Sequence, residues 1–186
     1  RKSANRLLMN RAIEAAVFEN GSDVILGEGL AYDRCQVGIV TNVNVARHTG
    51  RYYIETPEHV FTTLRTQVDL VLPKGAAVLN AKEAMLVEMA ALCDGEVVYF
   101  ALDPSLPALA EHLAQGKRAV IVRDGQIVLA SGTNEKSLAK LSDVPLTEGG
   151  QANAQVENVL AAVGAAWSLG ISPDVMRTGI ETYFIE

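Results

Sequence analysis

The chain has 186 residues, of which 49% are hydrophobic and 20% charged, and its formal net charge at pH 7 is −6. This length suits one globular domain. An acidic chain without a Lys/Arg cluster is a poor binder of nucleic acid or of anionic membranes, and no apolar run is long enough to span a bilayer. Cys35 and Cys93 lie far apart without a CxxC motif, which predicts reduced thiols in a cytoplasmic protein.

In the first part of the chain, short apolar runs alternate with helical patterns, and this alternation favours α/β layering. Residues 3–12 are predicted to form a helix, and residues 15–18 a buried strand that ends at Glu19. A glycine-containing loop, with Gly-Glu-Gly-Leu at 27–30, is predicted to lead into a strand at 37–43.

The middle of the chain continues the same alternation. Thr56 and Pro57 are an N-cap and first-turn pair, and they predict the start of an amphipathic helix. A strand at 76–79, a helix at 81–92 and a strand at 97–100 are predicted to follow.

The next elements include a hairpin. Ser105 is predicted to cap a helix that ends at Gly116. Apolar runs at 119–122 and 127–129 flank an Asp-Gly pair, which is a strong local signal for a β-hairpin. We therefore expect an antiparallel ribbon attached to a parallel sheet.

The predicted fold is α/β: a mostly parallel sheet with flanking helices and an antiparallel hairpin. The absence of repeats and linkers favours a single domain over residues 1–186, with a helical end at roughly 151–186. In that end, Ser172 and Pro173 are predicted to begin the last helix.

Two polar side chains are candidate metal ligands. Glu19 directly follows the strand predicted at 15–18, and His48 comes five residues after the strand predicted to end at Val43. Ligands of open α/β sheets bind outside the carboxyl ends of the strands. The pair could hold a divalent metal, directly or through water, or could consist of ordinary loop residues. Spacing alone does not assign a hard cation, because Mg²⁺ favours oxygen ligands.

Other polar features have less specific interpretations. Residues 131–137 look like a phosphate-binding loop, but Ala130 and Glu135 stand where that motif requires glycine, so a surface connection is predicted. His59 and His112 are predicted to be solvated structural residues, with His112 near a helix C-terminus that favours a cation.

Asn158 is polar within a helix of Val, Leu and Ala residues. It either caps the helix or faces solvent, or it recognises a nucleotide base through its amide donor and acceptor.

Several stretches resemble cyanophycin synthetases in order and spacing, and together they span essentially the whole chain. They are residues 28–35, 37–42, 65–69, 77–81, 92–97, 118–120, 144–147 and 157–162. These enzymes join an ATP-grasp module, which adds Asp to the backbone of a storage polymer, to a Mur-ligase-like module, which adds Arg to the Asp side chain.

The resemblance implies that this chain is the later part of the central, ATPase-type domain of the Mur-ligase-like module. The implied cofactors are ATP and Mg²⁺, and the implied reaction is phosphorylation of a carboxylate followed by attack of an amine on the acyl phosphate. The parent's substrates would be ATP, arginine and the aspartate polymer, and we expect a homo-oligomer. In the family a phosphate-binding loop precedes Ser3 and another domain follows Phe184, so the isolated chain is expected to be inactive.

Individual roles follow from matching positions. Glu19 matches the family's metal-binding glutamate, and His48 matches the histidine of its Asp-His pair. Asn158 matches the last residue of the His-Asn-x-x-Asn element that contacts adenine, and Gln155 replaces the first Asn of that element but still offers an amide. Arg47 stands where the acidic member of the Asp-His pair is usual.

Two alternatives remain open. One is a degenerate, non-catalytic paralogue with a binding or oligomer-forming role, which the cation at Arg47 favours. The other is a different Mur-type ligase that acts on peptidoglycan precursors, against which the Leu-Cys-Asp-Gly-Glu-Val stretch at 92–97 argues.

Overall fold

A computed structural model of the protein describes residues 2–44 and 52–184. The helices in these residues are α1 Lys2–Leu8, α2 Ser22–Glu28, α3 Pro57–Leu64, α4 Thr66–Asp69, α5 Ala84–Met89, α6 Pro107–Ala114, α7 Asn153–Ser168 and α8 Pro173–Thr182. The strands are β1 Cys35–Val40, β2 Val71–Asn80, β3 Glu96–Ala101, β4 Arg118–Arg123, β5 Gln126–Ser131 and β6 Asn134–Lys140. None of these helices combines the length and hydropathy needed to cross a bilayer.

The strands form one six-stranded sheet in the order β1-β2-β3-β4-β5-β6. The first four strands are parallel neighbours, and β5 and β6 add to the sheet in antiparallel pairing. Because parallel crossovers are almost always right-handed, strands that follow one another in sequence place their connecting helices on the same face. The structure confirms the predicted α/β fold with its mostly parallel sheet.

Each face of the sheet buries its own hydrophobic cluster. Residues of α3–α6 pack with one face of the sheet, where Val60, Leu86 and Leu109 are fully buried. Residues of α7 and α8 pack against the opposite face, where Phe100 and Leu160 are fully buried. The result is a three-layer arrangement, and the continuous apolar runs predicted as strands are explained by burial on both faces.

The predicted hairpin between β4 and β5 is present, and its turn uses Asp124 and Gly125, both with positive φ angles. The prediction of a surface connection at 131–137 was wrong in part, because most of it forms β6. Along β6, Leu138 and Ala139 are both buried although they are consecutive, since a register shift against β5 disrupts the alternation of faces. The other side chains of β6 are exposed, which is why the sequence shows no strand pattern there.

The structure corrects the prediction for the N-terminal segment. The predicted helix ends at Leu8, and residues 15–18 form no strand: Val17 is 92% exposed. A strand requires a neighbour that satisfies its backbone hydrogen bonds, and within the described residues no strand pairs with this run. The loop predicted before β1 contains the helix α2 instead.

The helix starts were also predicted imperfectly. Ser105 does not cap α6; its backbone N–H and hydroxyl donate to the Asp103 carboxylate at 2.8 and 2.6 Å, and Leu106 occupies the N-cap position. The helix predicted from residue 81 begins at Ala84, after a turn in which Asn80 Oδ1 accepts the backbone N–H of Lys82 at 3.1 Å. In the last helix, Ser172 accepts the backbone N–H of Val175, as the cap prediction requires.

An ion pair joins the amino ends of β3 and β4. Arg118, which begins β4, donates from Nε and Nη2 to the two carboxylate oxygens of Glu96 at 2.7 and 2.6 Å. Its guanidinium also lies 4.7 Å from the ring centroid of Trp167 on α7. Such two-point Arg–carboxylate contacts are geometrically specific, so they fix β3, β4 and α7 relative to one another.

His112 was predicted to be solvated, and this was wrong. It is 6% exposed, its ring lies 4.4 Å from that of Tyr99 between centroids, and its Nε2 is 3.1 Å from the carbonyl oxygen of Arg118. Burial lowers the pKa of the His112 imidazole, which disfavours the cation expected at this helix end. His59 is exposed, as predicted.

Candidate functional site at the carboxyl end of strand β1

A cavity of about 740 Å³ lies where β1 ends. Glu19 and Asp23 line it from the segment around the start of α2, and Thr41 and Asn42 line it from the residues that directly follow β1. Because β1 is parallel to β2, this is the carboxyl edge of the parallel sheet, where ligands of open α/β folds bind. The cavity is therefore the candidate site for chemistry.

The donors around the cavity are hard oxygen ligands. Glu19 and Asp23 bring carboxylates, Thr41 a hydroxyl, and Asn20 and Asn42 amide oxygens. Mg²⁺ is typically bound by one or two carboxylates together with waters and substrate phosphates, and this donor set fits it. Among residues 2–44 and 52–184, no group of three or more His, Cys, Asp or Glu side chains is placed to hold a metal ion.

One wall of the cavity is apolar and buried. Ile54 and the α3 residues Val60 and Leu64 line it with exposures of 4%, 0% and 9%. Gln67 of α4 also lines it, and α4 can approach β1 closely because Gly38 has no side chain: a Cβ there would lie 2.4 Å from the Gln67 carbonyl oxygen. One side of the cavity is thus apolar, whereas its oxygen donors are polar.

Both residues that flank Glu19 in the sequence contact the same side chain, that of Tyr32. The ring of Phe18 stacks on that of Tyr32, with centroids 5.8 Å apart and planes inclined by 24°. The amide nitrogen of Asn20 donates to the Tyr32 hydroxyl at 2.8 Å. Burial raises the pKa of the Tyr32 phenol. Glu19 is exposed to the cavity, between two residues held by the same tyrosine.

His48 and Arg47 lie outside the described residues, so their predicted roles stay predictions. Asn44, the last described residue before them, lines the cavity.

Gln155 and Asn158 meet on the first turns of α7, where Asn158 Nδ2 donates to Gln155 Oε1 at 3.2 Å. Neither residue lines the cavity beside Glu19. The N-terminal part of α7 nevertheless lies at the carboxyl edge, because Glu157 Oε1 is 4.0 Å from the Nζ of Lys82, two residues after β2. Gln155, Asn158 and Glu19 therefore all lie at the carboxyl edge of the sheet. The segment of Glu19 and helix α7 pack with opposite faces of that sheet.

The cavity is also lined by Asp23, Thr41, Asn42 and Gln67, which were not predicted from the sequence. A signal for Asp23 was present, since Gly21-Ser22-Asp23 before the apolar run at 24–26 is typical of a helix N-terminus. No such signal exists for Gln67, because its position depends on the close approach of α4 to β1.

Comparisons with known proteins assign this fold to a class. No protein-family model matches the chain. Two crystal structures of MurF from Acinetobacter baumannii match with TM-scores of 0.55 and 0.56 at 17% and 15% identity, covering 81% and 92% of this chain and 30% and 33% of theirs. The 2,6-diaminopimelate-adding UDP-N-acetylmuramoyl-L-alanyl-D-glutamate ligase of Geobacter metallireducens is 28% identical over 180 residues, which is 95% of this chain and 32% of that enzyme. The fold is that of a Mur-ligase-like α/β domain.

Stronger similarity comes from cyanophycin synthetases. Those of Synechocystis sp. and Crocosphaera subtropica are 33% and 34% identical over 182 and 181 residues, covering 98% and 97% of this chain. Over nearly its whole length the chain is similar to a segment of cyanophycin synthetases, which confirms the resemblance found in the sequence. It spans about a fifth of the length of these relatives, 21% in both cases.

Proposed function

We propose that the chain contributes the metal-facing part of an ATP-dependent acid–amino-acid ligase, within a longer parent protein that acts in the cytoplasm as a homo-oligomer. In the proposed reaction, ATP phosphorylates an Asp side chain of an Asp-Arg polymer. The amine of arginine then attacks the acyl phosphate and releases phosphate. The chain alone is proposed not to turn over.

One observation carries the proposal: carboxylates from the α2 segment and neutral oxygens from the end of β1 line a single cavity at the carboxyl edge of a parallel sheet. The similarity to cyanophycin synthetases over nearly the whole chain supports the same assignment.

The chain's own residues have distinct roles in this proposal. Glu19 and Asp23 would hold Mg²⁺, and Thr41 and Asn42 would orient water or phosphate oxygens beside it. When bound, Mg²⁺ supplies positive charge that offsets the charge on the transferring phosphoryl group. The apolar wall from α3 lowers the local polarity, which strengthens every electrostatic contact in the cavity. His48 is proposed to act at the same site, on the family match alone.

Gln155 and Asn158 are proposed to contact the adenine of ATP. Both lie on the first turns of α7, at the same edge of the sheet as the cavity. Each amide has more donors and acceptors than their mutual hydrogen bond uses, so the pair can present both to a base.

A second candidate is a non-catalytic paralogue with a binding or oligomer-forming role. Arg47 favours it, because a cation stands where the family has an acidic residue. A third is a ligase for peptidoglycan precursors, which the match to a diaminopimelate-adding ligase favours.

Release of ADP by the purified full-length parent separates these candidates. With ATP and Mg²⁺, we expect release that requires both arginine and an Asp-Arg polymer primer. Release that instead requires a UDP-muramoyl peptide and a diamino acid would support the peptidoglycan ligase. No release with either pair would contradict the ligase assignment and leave the paralogue.

A further inference from the structure

The segments that precede and follow the short helix α2 contact each other. Asn20 lies two residues before α2 begins at Ser22, and Tyr32 lies four residues after α2 ends and three residues before β1 begins. The hydrogen bond from Asn20 to the Tyr32 hydroxyl joins these two points across twelve positions of sequence. The stacking of the Phe18 ring on the Tyr32 ring is a second contact, and it involves the residue that precedes Glu19 in the sequence.

Glu19 itself has no strand to hold it. Residues 15–18 are irregular, and Val17 is 92% exposed. A ligand carboxylate needs a fixed backbone, because a group that must be ordered at binding costs conformational entropy. The Phe18–Tyr32 stack and the Asn20–Tyr32 hydrogen bond restrain the neighbours of Glu19 on both sides.

We propose that Tyr32 is a positioning residue for Glu19: through its ring and its hydroxyl it holds the backbone on both sides of the carboxylate, and it thereby sets the divalent-cation affinity of the cavity. This inference rests on the proposed metal role of Glu19. Tyr32 itself is not a catalytic residue, since it does not line the cavity. It acts through its contacts with the neighbours of Glu19, in the way that residues beside a metal ligand orient that ligand.

The two contacts of Tyr32 can be distinguished by substitution. Tyr32→Phe keeps the ring stack and removes the hydroxyl that accepts the hydrogen bond from Asn20, whereas Tyr32→Leu removes both the stack and the hydrogen bond. Tyr183→Phe is the matched control, because Tyr183 is an exposed tyrosine just after α8. Thermal unfolding of each variant shows whether it is folded.

The first readout is independent of any ligand. Backbone ¹⁵N relaxation of the chain measures the order of the Glu19 and Asn20 amides. We expect order parameters near ~0.85 in the wild type that fall toward ~0.6 in Tyr32→Leu, with Tyr32→Phe in between. Unchanged order in both folded variants would overturn the proposal. If Tyr32→Leu does not fold, Tyr32→Phe decides the outcome.

The second readout is the affinity for Mn²⁺ alone, measured by electron paramagnetic resonance. We expect about tenfold weaker binding in Tyr32→Leu, the low end of the loss seen when residues behind metal ligands are changed. Binding as tight as in the wild type, in a variant whose Glu19 amide has become disordered, would overturn the positioning role. Glu19→Gln serves as the reference: if it leaves Mn²⁺ affinity unchanged, the proposed metal role of Glu19 fails, and the relaxation data alone then decide whether Tyr32 holds the segment.

Discussion

Replacing Glu19 by Gln in the full-length parent is expected to lower arginine-dependent phosphate release by about 10²–10³-fold, the usual loss when one preorganised electrostatic group is removed from an active site. Gln keeps the size of the side chain and one oxygen, so the change isolates the negative charge. Glu19 lines the cavity together with the oxygen donors at the end of β1, and it is proposed to hold the Mg²⁺ that offsets phosphoryl charge. Steady-state release of phosphate at saturating ATP measures the effect.

Glu88→Gln provides the control for this variant. Glu88 is an exposed residue of α5 and does not line the cavity, so the same loss of charge should leave turnover unaltered. If Glu19→Gln and Glu88→Gln both turned over at the wild-type rate, Glu19 would have no part in the reaction.

Replacing Phe100 by Ala is expected to lower the free energy of unfolding by about 3–5 kcal/mol, as large-to-small changes of buried aromatic residues do. Phe100 is fully buried in β3, within the cluster that joins the sheet to α7. Ala leaves a cavity that the parallel strands and α7 cannot close. Urea denaturation measures the loss as a lower midpoint with an unchanged slope.

The control for the core variant is Val175→Ala. Val175 lies on α8 and is 62% exposed, so its truncation should change stability by no more than about 0.5 kcal/mol. A loss of less than about 1 kcal/mol for Phe100→Ala would mean that the packing of α7 on β3 is looser than described.

The sheet was largely predictable from the sequence because its strands are continuous apolar runs. Strands β2 and β3 are buried on both faces, and the turn of the β4–β5 hairpin is encoded by a local Asp-Gly pair. The run at 15–18 is equally apolar and forms no strand, since strand formation depends on a neighbour that a local pattern does not reveal. Polar β6 is the converse case: pairing with β5 makes it a strand despite its exposed side chains.

The site was predictable only in part. Glu19 was found as a residue that follows an apolar run, and it lines the cavity although that run is not a strand. Gln67 lines the same cavity because α4 packs closely on β1, and Asn42 lines it because β1 ends at Val40. Neither position is encoded by a spacing in the sequence. His112 could have been placed correctly, because it lies three residues after Leu109 and so on the same buried side of α6.

The central claim is that a divalent cation binds beside Glu19, and the location of Mn²⁺ on the chain tests it most directly. Paramagnetic broadening of backbone amide signals, recorded while Mn²⁺ is added in small steps, reports which residues lie nearest the ion. We predict that the amides of Asn20, Thr41 and Asn42 lose intensity first, and that they do not in Glu19→Gln. Broadening that begins instead at exposed acidic residues away from the cavity, such as Asp94 and Asp143, would contradict the proposed site.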